Sequence, residues 1–545
     1  MKTKPMENIQ IPARENFERP EILELLLRRV NGLKNKYRQN MAIVGPQSLG
    51  KTSLILNLLR HYNDNKIIPI YISLKPRSLE VFAKNFMGIL LYQFLMSEQK
   101  KLEDNFDFLV SVSRPKIPKT VRAITHINKL LKESAPKDEI FSLILELPQF
   151  LYDETKKPIL LIFDEFQNLD NFGLEKPYFE LSNKIMVQKN TMYIMLSSSS
   201  HQAYNILNKK LSLLFGNFEI INLQPLDTKT AGSFITKRMG NVKINGELKR
   251  FLIYLTGGYP FYLNIITEQI KFLCHDGKID KVTEKIVIIA LGETLRKNHG
   301  ILNQYFNNKY HGLLNINQSN LYPAILLSLA KGIKKPSQIS KHINRKTAEV
   351  NRHINKLIQW DVTTKKGVFN CINDPLLAHW LKLVLSPRQN SFNMDRANAA
   401  SNFEDEIEKL MLEFSLESKK KITDRLKELF EKFENDIVEL DNKRFMLTHF
   451  DEIVIKEHNG LSQVFARRLK KIWFCAIEEG FIDEAKIGTY LENAKRKDCV
   501  KKILIALDGI DPTARLKALE AKVWIWDQNT VNNLFSIFEK PRVMK

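Results

Sequence analysis

The sequence predicts a multidomain α/β protein whose first domain is a parallel β-sheet covered by helices. The chain has 545 residues, roughly the length of three or four ordinary domains. Short apolar runs alternate with longer helical stretches up to about residue 226, which is typical of a parallel sheet with helices on both faces. The chain has only 21 glycines and 20 prolines, and this shortage of helix breakers favours long helices.

Composition narrows the class of protein. Hydrophobic residues make up 44% and charged residues 26% of the chain, which excludes a disordered or fibrous protein. The net charge of +22 favours an anionic partner such as nucleic acid, although a lysine-rich proteome would give the same surplus without a specific partner. The four cysteines fit no zinc or disulfide spacing, which favours a cytoplasmic protein. We find no secretory signal and no apolar run of membrane length, so no membrane partner is expected.

The first domain, predicted over 1–227, has the clearest element pattern. Its helices are expected at 20–35, 79–98 and 141–154, with an inserted helical region at 99–137. Its strands are predicted at 41–45, 66–74, 158–166, 191–200 and 218–226.

The rest of the chain is predicted to form three further domains and a linker. Residues 228–318 read as a helical lid, 319–385 as a winged helix-turn-helix and 386–401 as a linker without periodicity. Residues 402–545 regain both helices and strands. Within this last part we expect 445–460 to pair with 470–480 around a turn, and strands at 501–511 and 521–527, each followed by a helix.

A phosphate-binding loop follows the first predicted strand. The run GPQSLGKT at 45–52 matches G-x-x-x-x-G-K-[ST] between an apolar strand and a helix. Glycines let backbone N–H groups turn toward phosphate oxygens, and the helix N-terminus adds partial positive charge. Lys51 is expected to reach the β- and γ-phosphates and Thr52 to bind Mg²⁺. The residues predicted to contact the nucleotide here are Gly45, Pro46, Gln47, Ser48, Leu49, Gly50, Lys51, Thr52 and Ser53.

An acidic pair ends the predicted strand at 158–166. Four apolar residues precede Asp164, whose carboxylate is expected beside the phosphate loop as a second Mg²⁺ ligand. Glu165 could polarise water for attack on the γ-phosphate. Ser199, one of four serines that end the next strand, could contact the γ-phosphate or the water, or could simply belong to a polar strand exit. The strand at 66–74 is expected to provide the extra strand between the two halves of the site.

Residues 15–385 resemble the archaeal-type P-loop ATPases, which are related to the AAA+ and STAND NTPases. The resemblance implies ATP as the nucleotide, a helical lid and a winged helix, and it assigns Lys51, Thr52, Asp164 and Glu165 the roles given above. It also places Arg19 near the base and Pro260 at the start of a lid helix that abuts the nucleotide. The matching segments are FERPEIL at 17–23, GPQSLGKT, LLIFDEFQNL at 160–169, LSSSS at 196–200, LQPLD at 223–227, TGGYPFYLN at 256–264 and NDPLLAHW at 373–380.

One position departs from the family pattern. The resemblance implies an arginine before the fifth strand, where this chain has Asn217 in the run LLFGNFEIINL. Asparagine cannot supply charge to the transition state, and loss of such an arginine can cost about 10³ or more in rate. We therefore expect slow ATP hydrolysis. Arg238 is a possible substitute, although its position in a predicted helix indicates a surface residue.

A basic helix and hairpin within 319–385 predict contact with duplex DNA. Arg352 and Lys356 lie on the polar face of the third helix, and Lys365, Lys366 and Gly367 form the tip of the predicted wing. The alternative is a protein-contact or lid module with solvated lysines.

The last domain resembles the PD-(D/E)xK nucleases, with Asp451 as the candidate first acid. The expected E-x-K position holds Phe474, Cys475 and Ala476, so we predict that nuclease chemistry has been lost. Glu484-x-Lys486 and Glu520-x-Lys522 have the E-x-K sequence, but the first is predicted in a helix and the second ahead of a strand.

The sequence therefore favours an ATP-driven switch, with slow hydrolase activity, that controls binding to DNA or to a protein partner. An ATP-gated DNA nuclease and a non-hydrolysing ATP-binding adaptor remain open alternatives. Homo-oligomerisation is possible, because ATPases of this kind often share sites between subunits.

Overall fold

The structure, a computed structural model, forms two compact units that divide between Pro225 and Leu226. It describes residues 19–62, 64–75, 78–98, 105–211, 216–315, 321–390, 396–440, 443–458, 461–478, 480–493 and 499–542. The first residues of the predicted motif at 17–23, the start of the insertion at 99–137 and part of the LLFGN run lie outside the described residues.

The first unit is built on a five-stranded parallel sheet with strand order β2-β3-β4-β1-β5. The strands are β1 (Asn40–Val44), β2 (Ile68–Ser73), β3 (Ile159–Asp164), β4 (Thr191–Ser197) and β5 (Phe218–Asn222). Strands β1, β3 and β4 are buried along their whole length, as expected when helices cover both faces. The expectation that the strand at 66–74 lies between the two halves of the site is wrong, because β2 forms the edge and β4 lies between β1 and β3.

Helices connect these strands. They are α1 (Pro20–Lys34), α2 (Lys51–His61), α3 (Leu79–Ser97), α4 (Phe106–Ser113), α5 (Pro118–Lys132), α6 (Lys137–Thr155), α7 (Pro177–Val187) and α8 (Ser200–Asn205), with a 3₁₀ segment at Phe166–Phe172 and a π-helical segment at Ile206–Lys210. Prolines start α1, α5 and α7, where the missing N–H has no helical partner to lose. The predicted helical insertion corresponds to α4 and α5 over the described residues.

Helix α3 corrects one expectation from the sequence. It is 19 residues long with a mean hydropathy of 1.2, so by length and composition it could cross a membrane. Its apolar side chains, among them Phe86, Leu90 and Phe94, are instead buried in the core of the first unit.

The second unit begins with helices and then forms a hairpin. These elements are α9 (Thr228–Met239), α10 (Gly246–Thr256), α11 (Pro260–Asp276), α12 (Glu284–Leu291), a π-helical segment (Gly292–Arg296), α13 (Ile301–Asn315), α14 (Leu321–Ala330), α15 (Pro336–His342), α16 (Thr347–Gln359), β6 (Thr363–Lys366), β7 (Phe369–Ile372), α17 (Pro375–Trp380), a second π-helical segment (Leu381–Leu385), α18 (Ser386–Asn390) and α19 (Arg396–Lys419). Helices α18 and α19 occupy most of the segment expected to be an aperiodic linker.

The C-terminal part of this unit is a mixed sheet with strand order β10-β11-β12-β13-β14. Its elements are α20 (Ile422–Phe430), β8 (Asp436–Leu440), β9 (Lys443–Leu447), β10 (Glu452–His458), β11 (Leu461–Arg468), β12 (Lys471–Glu478), α21 (Glu484–Asn493), β13 (Cys499–Ala506), α22 (Pro512–Glu520), β14 (Val523–Asp527) and α23 (Gln528–Ile537). The first two strand pairs are antiparallel and the last two are parallel. The predicted pairing of 445–460 with 470–480 is wrong, because β11 lies between β10 and β12.

Alternation along these strands gives the sheet two apolar faces. Cys475 and Ile503 belong to one core cluster, whereas their neighbours Phe474 and Leu504 belong to the other. The two predicted strands near the end of the chain and the helices that follow them are present as β13, α22, β14 and α23.

Candidate functional site

The loop between β1 and α2 lies at the carboxyl edge of the first sheet. The Gly45 N–H donates to Ser197 O at the end of β4, 3.2 Å away. A Cβ at position 45 would lie 2.6 Å from Leu223 O, so only glycine lets this backbone pass beside the segment after β5. The side chain of Leu49 is fully buried, which ties the middle of the loop to the core. The loop is thus held from both neighbouring strands.

Lys51 is the first residue of α2 and is only 6% exposed. Its Nζ donates to the carbonyl oxygens of Gly45 and Pro46, at 2.7 and 2.9 Å. Burial lowers the pKa of Lys51, and the negative charges of Glu165 and Asp164 oppose that shift. The ammonium therefore lies against the loop that precedes it, where phosphate oxygens can replace the two carbonyl acceptors.

Asp164 ends β3 and meets α2 and β2 through a single carboxylate oxygen. Thr52 Oγ1 donates to its Oδ2 at 3.0 Å, and Tyr71 OH donates to the same oxygen at 2.5 Å. The other oxygen, Oδ1, is buried and has no hydrogen-bond partner among the described residues. Burial raises the pKa of Asp164, and the Tyr71 hydrogen bond acts in the opposite direction.

This donor set fits a magnesium ion. A hydroxyl and a carboxylate are the hard oxygen ligands that Mg²⁺ prefers, and the ion usually takes only one or two protein ligands beside phosphate and water. The orphaned Oδ1 of Asp164 is a buried acceptor, which costs free energy unless a cation or donor faces it. Thr52 is exposed at the mouth of the loop.

Glu165 follows Asp164 with a left-handed backbone, at φ +59°. Its Oε2 accepts hydrogen bonds from Ser198 N at 2.9 Å, Ser198 Oγ at 2.7 Å and Gln167 Nε2 at 2.6 Å. These three donors fix the orientation of the carboxylate at the end of β3. A positive φ in a non-glycine residue is uncommon and costs energy, so the surrounding contacts hold this conformation in place.

The other predicted site residues lie in several places. Ser199 precedes α8, and its hydroxyl accepts from Gln202 N at 3.4 Å, so the serine that reaches Glu165 is Ser198. Arg19 Nη2 donates to Gln224 O at 2.5 Å. Ser53 is half-buried in the first turn of α2. Pro260 begins α11 in the second unit, and its predicted approach to the nucleotide stays a prediction.

Sequence reasoning missed Tyr71 and Ser198. Tyr71 is the one phenol in the apolar run of β2, and parallel pairing of β2 with β3 aligns Ser73 with Asp164. This pairing brings the Tyr71 hydroxyl to the acid, and the sequence alone does not indicate that β2 lies beside β3. Arg238 was expected at the surface, but its side chain is only 12% exposed and lies 3.8 Å from Glu268, both within the second unit.

Helices α14 to α16 and the hairpin β6–β7 form the region predicted to contact DNA. Val350, Ile354 and Leu357 of α16 are buried, while Arg352 is exposed and Lys356 is partly exposed on the other side of the helix. Lys365 is also exposed. The basic face of α16 is therefore accessible.

The tip of the hairpin is packed against the C-terminal sheet domain. Val368 N donates to Ile437 O at 2.9 Å, and Lys366 Nζ donates to Asn533 Oδ1 at 2.7 Å. Gly367, at φ +70°, lies so close to Ile437 that a Cβ would overlap its carbonyl oxygen. The expectation of a free wing tip at 365–367 is thus wrong for residues 366 and 367, which are held within the second unit.

The residues considered for a nuclease centre lie in separate places of the C-terminal domain. Asp451 Oδ2 accepts from Leu469 N at 2.9 Å, and Cys475 is fully buried in β12. Glu484 starts a helix and Glu520 ends one. Among the described residues, no group of three or more histidine, cysteine, aspartate or glutamate side chains could hold a metal. The loss of nuclease chemistry stays a prediction.

Comparison with solved structures gives similar chains at low identity. The Walker-type ATPase of Pyrococcus abyssi is 16% identical with a TM-score of 0.47, and the match covers 68% of this chain and 98% of that one. The ORC2 protein of Aeropyrum pernix, in its ADPNP–ADP complexes, is 12% identical with a TM-score of 0.44, over 69% of this chain and 98% of that one. No curated protein sequence matches the chain.

The sequence also matches a known domain family. The match covers residues 24–266, which include the loop, Lys51, Thr52, Asp164 and Glu165 described above. That family is described as an ATPase domain predominantly from Archaea, and residues 24–266 of this chain are similar to it.

Proposed function

We propose that this protein is an ATP-dependent switch that binds ATP with Mg²⁺ at the loop 45–53 and hydrolyses the ATP slowly. Binding and hydrolysis change the affinity of the protein for duplex DNA. The observation that carries this proposal is the convergence of Lys51, Thr52 and Asp164 at one sheet edge, with a 3.0 Å hydrogen bond joining the last two. Three separate elements supply these groups, and each has the chemistry that a magnesium–triphosphate complex requires.

Each residue has a distinct role in nucleotide binding. Backbone N–H groups of the loop and the start of α2 bind phosphate oxygens. Lys51 exchanges its bonds to Gly45 O and Pro46 O for bonds to the phosphates. Thr52 and Asp164 hold Mg²⁺, which neutralises charge on the phosphates when it is bound. Tyr71 keeps the Asp164 carboxylate in place from the side of β2.

Glu165 is the group that polarises the attacking water. The hydrogen bonds from Ser198 and Gln167 orient its carboxylate. All of them end on Oε2, so Oε1 is the oxygen available to the water. Asn217 lies where the resemblance implies an arginine, and it carries no charge to stabilise the transition state. Hydrolysis is therefore slow, and binding rather than rapid turnover sets the state of the switch.

DNA contact is assigned to the exposed face of α16. In a winged helix-turn-helix arrangement of α14 to α16 with β6–β7, Arg352 and Lys356 contact phosphates while the apolar face of α16 packs inward. Because the hairpin tip is bonded to Ile437 and Asn533, only Lys365 of the wing adds to this surface.

A salt titration of DNA binding tests this assignment. Replacing Arg352 and Lys356 with alanine should weaken binding to duplex DNA and reduce the slope of log K against log salt by about 0.9 per lost phosphate contact. Arg444, whose side chain is 78% exposed on β9, is the matched control, and Arg444→Ala should leave the slope unchanged. An equal slope in the wild type and the double variant would remove α16 from the DNA-binding surface.

Single-turnover kinetics separate the switch from a non-hydrolysing adaptor. With enzyme in excess over ATP, the wild type should convert ATP to ADP, and Glu165→Gln should bind ATP but convert it at least about tenfold more slowly. No conversion by the wild type would favour the adaptor, whereas equal rates of conversion in both proteins would remove Glu165 from the catalytic role.

A further inference from the structure

A second polar cavity lies entirely within the second unit, away from the loop 45–53. It has a volume of about 300 Å³ and is lined by residues of α10, α14, β7, α17, the π-helical segment Leu381–Leu385, α19, α23 and the segment that follows α23. This volume is at the lower end of the range for small-molecule sites. The proposed ATP site makes no use of these residues.

The cavity holds more positive than negative side chains that lack a partner. Lys334 donates to Ser536 O and Ile537 O, so it is already bonded. Lys382 has no hydrogen bond or ion pair to any described residue, although it is exposed into the cavity. Glu413 also lines the cavity and likewise has no hydrogen bond or ion pair within the described part of the chain.

Arg542 supplies the second unpaired cation. Its Nε is 3.4 Å from Ser536 Oγ, and no described acceptor faces its two terminal nitrogens. Arg542 is exposed to solvent at the cavity, and it has no ion pair with a described carboxylate. Such a guanidinium can bind a carboxylate or phosphate through two parallel N–H donors.

Aromatic groups form one wall of the cavity. Tyr254 and His379 line it with their rings 5.9 Å apart, and Phe414 stacks on the far side of Tyr254 at 5.2 Å. Burial lowers the pKa of His379 to about 4, so this imidazole is neutral near pH 7 and adds no charge. These rings therefore add aromatic surface to the cavity that the two cations also line.

We infer that this cavity is an effector site for a small organic anion, whose phosphate or carboxylate group is bound by Arg542 and Lys382 while a hydroxyl or amino group donates to Glu413. The ligand is no larger than a mononucleotide, given the volume. Because Lys382, Glu413 and Arg542 come from the π-helical segment Leu381–Leu385, α19 and the segment after α23, a bound ligand would tie these three segments together and stabilise the second unit.

Binding of simple anions to the full chain tests the site. The chain carries Lys51→Ala, so that the loop 45–53 does not compete, and the probes are inorganic phosphate, AMP and glutamate. Tryptophan fluorescence is the readout, because Trp380 belongs to α17 and all five tryptophans lie in the second unit. At least one probe should give a saturable change in fluorescence. Comparison of the affinities for phosphate and for glutamate shows whether the site prefers a phosphate or a carboxylate group.

Variants decide whether the signal comes from this cavity. Arg542→Ala and Lys382→Ala should each weaken binding about tenfold or more, whereas Arg542→Lys should retain part of it because it keeps the charge. Arg444→Ala, at an exposed arginine outside the cavity, should bind like the parent. The inference is overturned if no probe binds saturably, or if Arg542→Ala binds as tightly as the parent. Neither outcome bears on ATP binding at Lys51.

Discussion

The Tyr71 hydroxyl provides a quantitative test of the network around Asp164. Tyr71→Phe removes a donor 2.5 Å from Asp164 Oδ2 and keeps the ring. Oδ2 then has only Thr52, and Oδ1 has no partner among the described residues. A hydrogen bond to a charged group contributes about 1.5–3 kcal/mol. The free energy of opening β3 should therefore fall by that amount at neutral pH.

The effect should depend on pH in one direction. The Tyr71 hydrogen bond favours the ionised form of Asp164 and lowers its pKa, although burial raises that pKa overall. Its contribution is therefore present above the Asp164 pKa and is lost as the pH falls through it. In acid, Tyr71→Phe should cost only what a neutral hydrogen bond contributes, about 0.5–1.5 kcal/mol.

Hydrogen exchange of the β3 amides, corrected for intrinsic rates at each pH, measures this loss. Tyr193→Phe is the matched control, since its buried hydroxyl donates to the neutral Gln188 Oε1 at 2.6 Å and its loss should not vary with pH. Tryptophan fluorescence reports only on the second unit and should be unchanged in both variants. Equal losses for Tyr71→Phe at neutral and acid pH, or a loss that grows in acid, would refute the reasoning.

Two further substitutions follow from the contacts. Ser198→Ala should lower the rate of ATP conversion several-fold with little change in ATP affinity, because the Ser198 hydroxyl donates to Glu165 Oε2 at 2.7 Å and orients that carboxylate. Ser199→Ala should leave the rate unchanged. Equal single-turnover rates in the two variants would contradict this prediction. Gly367→Ala should destabilise the second unit by about 1–3 kcal/mol, because the added Cβ would overlap a backbone oxygen of β8 and the φ of this residue is +70°. Gly312→Ala is the control and should not destabilise the unit, because the space around Gly312 is open. Urea unfolding followed by tryptophan fluorescence would contradict this prediction if Gly312→Ala were the less stable variant.

Short-range features of the sequence were sufficient to predict the loop and the acid that faces it. The positions of Lys51 and Thr52 follow from a local turn between a strand and a helix. Asp164 follows from the rule that carboxyl ends of parallel strands meet at one edge. Both inferences need only the order of elements along the chain.

Features set by long-range pairing could not be predicted in the same way. Tyr71 reaches Asp164 because β2 is the edge strand beside β3, and sequence alone had placed that strand elsewhere in the sheet. Ser198 rather than Ser199 faces Glu165 because β4 ends at Ser197 and Ser199 already caps the helix that follows. The hairpin tip at Gly367 packs on β8, which lies about 70 residues farther along the chain.

Isothermal titration of the full chain with ATP and Mg²⁺ tests the central claim most directly. The wild type should bind ATP with saturable heat, and Lys51→Ala should bind roughly 10- to 100-fold more weakly, the equivalent of one lost charge-assisted bond to phosphate. Lys84→Ala, at an exposed lysine of α3, should match the wild type. Absence of ATP binding by the wild type, or equal affinity in Lys51→Ala, would contradict the account.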